Sequence, residues 1–493
     1  MSLVLVVDVG TTNIKAGVVN ERGELLSSAE MENRIHSPEL GASEHDPEEL
    51  FNTVVEVSKD AVKSYSTDVE FMVLSSYQLG LLPVDKDKNP LTGVMTLLDT
   101  RAQMSFDKLI GGVDTDELYR RTGCPPSYLY PFAKVLWMKH YKREIFEKVR
   151  YFLGSKDYLI YRLTGRLATE PSISSATQMF NIHEKDWDDY ALSVIGIDRD
   201  MLPEIVDGNA VIGEVSSCVK DEMGVKGRLY LLPGVYDGGG LVVGLGGLQR
   251  GVGSVNLGTT SMLRVAVGMP VLDRDKRLQT YHFFSDVWLT GEGINNAGVV
   301  LRWFRDNLVN LGYDQLTSMA EGVNSGADGL VFLPYFTGER DCRIGSSSSG
   351  VLFGLREYHT AAHIVRAILE GVGYTLRMVK DAIQDNGITV EEIRVGGSGA
   401  RSNLWLKIIS NITGVPVRKS KCDYVSFVGE AMLGYVAMGL YRDIQGATDY
   451  MVKLGEEIVP DKDAELYRDR YEAFSYLVSC IKDVHEKYFD RGR

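Results

Sequence analysis

One carboxylate stands alone in the most glycine-dense stretch of the chain. Residues 234–258, GVYDGGGLVVGLGGLQRGVGSVNLG, hold ten glycines around Asp237. Glycine lets backbone approach a ligand closely and reach positive φ. A carboxylate set among glycines at the end of a strand beginning near Leu229 is placed to take a proton from a bound hydroxyl. The plainer reading, a flexible linker plus a helix packed through small residues, covers residues 244–253 and leaves Asp237 unexplained. A second pattern occurs twice: VDVGTT at 7–12 stands against VNLGTT at 255–260, each followed by an apolar strand. Each turn offers backbone amides and two hydroxyls, which together cradle phosphate oxygens without net charge. Asp8 in the first copy is Asn256 in the second. An acid holds a hydrated divalent cation, whereas an amide only hydrogen-bonds. Lys15 adds a cation near the first turn. Either turn alone is an ordinary hairpin connection; the pair, nearly half the chain apart, points to phosphate. A third glycine turn, RVGGSGARSNLW, runs from a strand at Ile393 and Val395 through Gly396, Gly397, Ser398 and Gly399 to a helix capped by Ser402. Strand, glycine loop and helix N-terminus make a nucleotide or anion site. A Walker A loop needs a Gly-Lys pair that the sequence lacks, and GxGxxG spacing fails as well.

These groups need elements to hold them. The β-branched run from Leu3 to Val7, its break at Gly10-Thr11-Thr12 and its resumption from Ile14 to Val19 predict a strand, a tight turn and a second strand. The repeat at 255–260 predicts that two halves open on the same hairpin, with a boundary near residue 245 and domains at 1–245 and 246–493. Asp46 and Pro47 begin a helix that buries Leu50, Phe51, Val54, Val55, Ala61 and Val62. Ser402 begins another that ends at Gly414, and apolar spacing from Leu466 to Val484 marks a long C-terminal helix. Strands at 71–76, 229–235 and 330–335 alternate with such helices, which predicts an α/β class with mixed sheets flanked by helices.

Composition narrows the function. The 493 residues are 44% hydrophobic and 24% charged, enough for large cores and against disorder. Lys and Arg total 53 against 67 Asp and Glu, a net charge of −14. A duplex-binding protein is expected to carry the opposite balance, so no nucleic-acid partner is expected. Cys124, Cys218, Cys342, Cys422 and Cys480 are dispersed and form no CxxC pair, which reads as reduced thiols rather than a zinc site or disulfides. The apolar start MSLVLVV is too short for a signal peptide and no run approaches a membrane span. The expectation is a soluble cytoplasmic protein without a membrane partner.

Together the strings VVDVGTTNIKAGVVNERGEL, SEHDPEELF, FLGSKDYLIYRLTGRLATEPSISSATQMFNI, GVYDGGGLVVGLG, VNLGTTS, FLPYFTGER, GVLFGLREYHTAAHIVRAILEGVGYTLR and GGSGARSNLW resemble, in this order, the FGGY family of carbohydrate kinases. The resemblance spans nearly the whole chain. It implies two actin-like domains of ribonuclease-H-like fold closing on a cleft that holds ATP, Mg²⁺ and a sugar, and a homodimer is compatible with it. It makes Asp237 the catalytic base and Asp8 the metal-linked acid, with Asp237 also at the metal. It assigns Gly10, Thr11, Thr12, Asn13 and Lys15 with Gly258 and Thr259 to the phosphate turns. Gly397, Ser398, Gly399, Ser402 and Asn403 fall at the α-phosphate and adenosine. On the sugar side, SSYQLGL and LLDTRA put Tyr77, Gln78, Asp99 and Arg101 near the substrate. The C-terminal helix is open to packing back on the first domain.

Departures from the family pattern concern the sugar. Leu79 stands where xylulose and gluconate kinases usually have histidine, and Leu97 where they have tryptophan. The family string GER continues here as Asp341-Cys342-Arg343. The expected substrate is a ketopentose, ribulose or xylulose, slightly ahead of gluconate, for which Arg343 offers itself as a cation. INNAGVVLRWFRD and SATQMFNI lean toward the gluconate-kinase-like subgroup. A chaperone- or filament-like ATPase of the actin superfamily shares the phosphate turns but has no use for the sugar-side strings. His359 and His363 are at metal-pair spacing, yet Thr360 reads as the helix cap, which leaves His359 outside the helix and the pair without metal.

Overall fold

The computed structural model describes residues 2–341, 343–345 and 348–488. The first half runs β1 (Leu3–Val9), β2 (Asn13–Val19), β3 (Leu25–Glu32), α1 (Pro47–Val62), β4 (Val69–Ser76), β5 (Gly213–Glu214), β6 (Tyr230–Leu232) and α2 (Asp237–Gly244). The second runs β7 (Val252–Leu257), β8 (Ser261–Val267), β9 (Gln279–Phe284), β10 (Val287–Ile294), α3 (Ala361–Asp385), β11 (Glu392–Gly396), α4 (Asn403–Thr413), β12 (Val417–Ser420), α5 (Val425–Ala437), β13 (Leu454–Ile458) and α6 (Asp463–Tyr488). Short helices and two-stranded pairs fill the connections. Among the described residues no helix is long and apolar enough to cross a membrane.

The two sheets share one plan. The first has strand order β5-β6-β4-β1-β2-β3 and the second β9-β10-β8-β7-β11-β12-β13. In each, an antiparallel hairpin (β1–β2, β7–β8) is extended by a further antiparallel strand on one side and by two parallel strands on the other. The second sheet adds β9 at its edge. The repeated hairpin thus heads a repeated mixed α/β sheet, the architecture that the sequence implied.

The central strands are apolar because helices cover both faces. Asp46 caps α1 by accepting from the Glu48 and Glu49 amides, and the helix buries Leu50, Val54 and Ala61 on the first sheet. The other face of that sheet is covered from far away in sequence. Helix α5 packs Phe427, Val428 and Ala431 with Val4, Val6 and Val73. The Tyr435 hydroxyl donates to the Val19 carbonyl at 2.8 Å. The break at residue 245 therefore falls between two sheets without separating two self-contained bodies. Helix α6, by contrast, stays on its own half, where Tyr467, Phe474 and Val478 join the core around α3 and α4. The segment that packs back is α5 rather than the C-terminal helix.

The glycine-dense stretch begins as a helix packed through small residues, which the plainer reading included: α2 covers 237–244, and turns over 245–251 lead on to β7. Helix α2 crosses α5 at backbone contact: a Cβ on Gly429 would lie 1.9 Å from the Gly240 carbonyl oxygen, and one on Gly244 would lie 2.0 Å from that of Val425. These glycines let two helices approach closely between the sheets, which is where the cleft lies.

Candidate active site

Asp237 is the first residue of α2, preceded by Tyr236 in extended conformation at the N-cap. Strand β6 stops at Leu232, so a four-residue connection and a helix start, rather than the strand end itself, present the carboxylate. Its Oδ1 accepts from the Gly238 amide at 2.7 Å. A helix N-terminus favours the ionised form, but burial, followed by repulsion from Asp8, pushes the carboxyl up from 3.8 to about 7. Asp8 lies on β1 in register with Lys15 of β2 and Ser75 of β4. Burial raises its pKa against the pull of Lys15 and Lys156. Asp8 Oδ1 is buried without a hydrogen-bond partner among the described residues. An orphaned carboxylate oxygen close to a second carboxylate fits a hard, hydrated cation such as Mg²⁺. Among the described residues no cluster of three or more protein ligands accompanies it, which suits an ion that keeps its waters and takes phosphate oxygens.

The connection before Asp237 is clamped by ionisable groups that the sequence reading did not single out. Lys156, fully buried, donates to the carbonyls of Pro233 at 2.8 Å and Val235 at 2.9 Å and pairs with Glu170 at 3.0 Å. Glu430 of α5 accepts from the Val235 amide at 3.3 Å, and burial lifts its carboxyl to about 8. Both polar groups of the Val235 backbone, two residues before Asp237, are thus held by side chains. The available signal was a single acid in the otherwise uncharged VSFVGEAMLGYVA and a lysine at the start of the helix Ser155–Thr164, which buries Tyr158, Leu159 and Ile160.

The second and third turns meet as one wall. Gly397 sits at φ +90°, and a Cβ there would fall 2.6 Å from Asn256 Oδ1 and 2.7 Å from the Leu257 carbonyl oxygen. Only glycine lets the third turn close on the second. Ser402 caps α4 by accepting from the Trp405 amide at 3.2 Å. Gly258, Thr259, Ser398, Gly399 and Ser402 line a cavity of about 570 Å³ together with Tyr313 and Gln315. Asn403 is exposed and its Oδ1 accepts from Lys419 at 3.0 Å, outside that lining. In the first turn, the Gly10 amide donates to the Asn13 carbonyl at 2.9 Å, while Asn33 satisfies Gly10 and Thr12 from outside. Lys15 is half exposed and pairs with Glu30 at 3.6 Å.

Asp8, Asp237, Asn256, Thr260 and Gly397 share a second cavity, of about 390 Å³, with the sugar-side residues Tyr77, Gln78, Leu79 and Leu97. Gln78 is anchored by donating to the Ser172 carbonyl at 2.7 Å. Leu79 adopts φ +69°, a conformation costly for a branched side chain; the buried Lys134 holds its carbonyl at 2.7 Å. Asp99 and Arg101 do not line this cavity. Arg101 is locked by Asp99 at 3.0 Å, by Glu39 at 2.9 Å and by Glu44, and it stacks over Trp137. The pair braces the wall from behind, with four of the five guanidinium N–H groups of Arg101 committed to three carboxylates.

The opposite wall, from the second half, carries cations. Arg264 of β8 and Arg340 both line the cavity beside Gln279 and Tyr281. Arg264 is buried and donates to Gln279 Oε1 at 2.7 Å, while its Nε has no hydrogen-bond partner among the described residues. Arg340 donates to Asn295 Oδ1 at 3.1 Å. Arg343 points elsewhere: it grips Asp341 at 3.0 Å and donates to the Met378 carbonyl at 3.2 Å. Cys342 lies outside the described residues. Thr360 caps α3 with His363, whose Nε2 contacts Asp328 at 3.2 Å, so the His359–His363 spacing serves a helix start.

Comparison with known proteins places the fold in a family. Residues 3–244 match the N-terminal domain, and residues 253–438 the C-terminal domain, of the FGGY family of carbohydrate kinases. A gluconokinase of Bacillus subtilis is 29% identical over 100% of this chain and 98% of its own. A xylulose kinase of Staphylococcus xylosus is 24% identical over 97% of this chain and 100% of its own. Among solved structures, a xylulose kinase and a gluconate kinase, both from Lactobacillus acidophilus, superpose with TM-scores of 0.95 and 0.94 at 24% identity, each over 99% of this chain and 100% of theirs.

Proposed function

The chain belongs to the FGGY family of carbohydrate kinases, and from that premise we propose that it transfers the γ-phosphoryl group of ATP to the terminal hydroxyl of an open-chain sugar acid of the gluconate type. A primary alcohol is barely nucleophilic at neutral pH, so a carboxylate within reach must take its proton as the bond to phosphorus forms. Asp237 has that role. A carboxyl held at about 7 is half ionised in neutral solution and strong enough as a base to accept the proton. Mg²⁺, when bound through Asp8 and phosphate oxygens, supplies neutralisation of charge on the transferring group. The Gly10–Asn13 turn and the Gly258–Thr259 turn orient phosphate oxygens with amides and hydroxyls, and the Gly397–Ser402 turn carries the nucleotide beyond them.

The acid substrate is supported by the cations of the far wall. The sequence reading put a ketopentose slightly ahead of gluconate; Arg264 with its buried, unpartnered Nε and Arg340 beside it support the acid in our reading. A ketopentose has no charge for a buried guanidinium to meet, while an aldonate carboxylate pairs with it. Leu79 and Leu97 leave the facing wall without the donors usual in the family. The test is kcat/KM for gluconate, xylulose and ribulose by coupled ADP release in the parent and in Arg340→Ala. The reading expects gluconate to lead by at least about tenfold, or about 1.4 kcal/mol, and the lead to vanish in the variant. A parent that prefers a ketopentose, or a preference untouched by the substitution, overturns it.

A further inference from the structure

One buried side chain outside the assigned machinery touches both halves of the reaction. His45, from the short strand Glu44–His45 just before α1, is 1% exposed. Its Nε2 lies 2.9 Å from the carbonyl oxygen of Thr11 in the first phosphate turn. Its Nδ1 lies 2.8 Å from the hydroxyl of Tyr77, which lines the sugar cavity. A carbonyl oxygen only accepts, so Nε2 carries the hydrogen. Burial keeps the ring neutral, its pKa lowered to about 4, so Nδ1 is an acceptor and the Tyr77 hydroxyl is the donor. The polarity of the chain Tyr77 O–H to His45 to Thr11 C=O is therefore fixed. Two consequences follow. The Tyr77 hydroxyl has its one proton committed to His45, so any further bond its oxygen makes is as an acceptor. A displacement of Tyr77 by substrate is transmitted through a rigid ring to the backbone of the turn that receives phosphate.

We propose that His45 is a positioning residue that couples occupancy of the sugar pocket to the geometry of the first phosphate turn. The proposal rests on the reading of the cleft as shared by sugar and ATP, and it adds that the two ligands sense each other through this ring. Coupling of this kind is a ratio of affinities and is reciprocal.

The experiment measures the dissociation constant of a non-hydrolysable ATP analogue with Mg²⁺, with and without saturating gluconate, xylulose or ribulose. It uses the parent, Tyr77→Phe, His45→Leu, His45→Gln and His45→Asn. Tyr77→Phe removes only the hydroxyl, and His45→Gln and His45→Asn each restore one end of the link, so thermal unfolding of the set separates misfolding from uncoupling. The expected result is a sugar effect of about fivefold or more in the parent, falling to near unity in Tyr77→Phe and in His45→Leu. His45→Gln, which keeps a donor toward Thr11, retains the nucleotide affinity of the parent without sugar, and His45→Asn does not. A parent without any sugar effect on nucleotide affinity, or folded variants that keep the effect of the parent, overturns the proposal. Failure of all three sugars to support ADP release would instead strike the choice of substrate.

Discussion

As the proposed base, Asp237 answers two opposed demands: it must be ionised to act and it sits where ionisation is costly. Burial first, and then Asp8, raise its carboxyl from 3.8 to about 7. A raised carboxyl pKa means that the fold prefers the protonated form. The stability this contributes is complete below the ordinary carboxylate range and is lost as pH rises through about 7. In metal-free buffer, Asp237→Asn is therefore expected to gain Tm relative to the parent as pH goes from 4 to 8, read by thermal unfolding; a pH-independent difference would contradict the assigned cause. Its partner carboxylate makes a second prediction. Asp8 Oδ1 is buried and unpaired among the described residues, whereas Asn256 occupies the equivalent place in the second hairpin. Asp8→Ala should shift the Mg²⁺ concentration for half-maximal rate upward by about tenfold or more, on the scale of a lost charged ligand, and Asn256→Ala should shift it far less. Equal shifts in parallel magnesium titrations would show that the two hairpins are not specialised.

The elements that hold these residues depend on a crossing of α2 and α5 that has no room for a methyl group. With the Gly240 carbonyl oxygen 1.9 Å from where a Gly429 Cβ would be, Gly429→Ala must push the helices apart. Overpacking of this kind costs about 1–3 kcal/mol, and here it also moves the start of α2, so Tm and kcat should fall together; a variant with both at parent values would contradict the role of the crossing. This helix was hard to read because glycine is a poor helix former, and its reason for being there lies about 190 residues away in α5, a separation counted between Gly240 and Gly429. The hairpins were legible because β-branched runs around a Gly-Thr-Thr turn are a local signal, and so were the caps of α1, α3 and α4. The return of α5 to the first sheet is a long-range contact with no local signature. Asp99 and Arg101 fell in the right string, yet only the three-dimensional arrangement showed Arg101 gripped by three carboxylates. Arg264 did leave a trace, as the one charge in the strand SMLRVAV, and Arg340 sat one residue before the departure that drew attention to Arg343.

At the scale of the whole molecule, two copies of one sheet plan face each other across a cleft, each contributing a hairpin turn, while α2 and α5 run between them. In the proposed function a chain of net charge −14 binds anions by local means: amides at turns, two arginines on one wall and the cation that Asp8 fits. Closure of the halves would bring the sugar wall at Tyr77 and Gln78 against the cationic wall and exclude water, which otherwise competes as phosphoryl acceptor. The central claim is that this closed arrangement acts through one carboxylate. It is tested most directly by kcat for sugar-dependent ADP release, with the best of gluconate, xylulose and ribulose, in parent and Asp237→Asn enzymes of equal nucleotide affinity. The account predicts a fall of about 10² or more, the scale of a lost general base; an Asp237→Asn enzyme that keeps most of the parent kcat would contradict it.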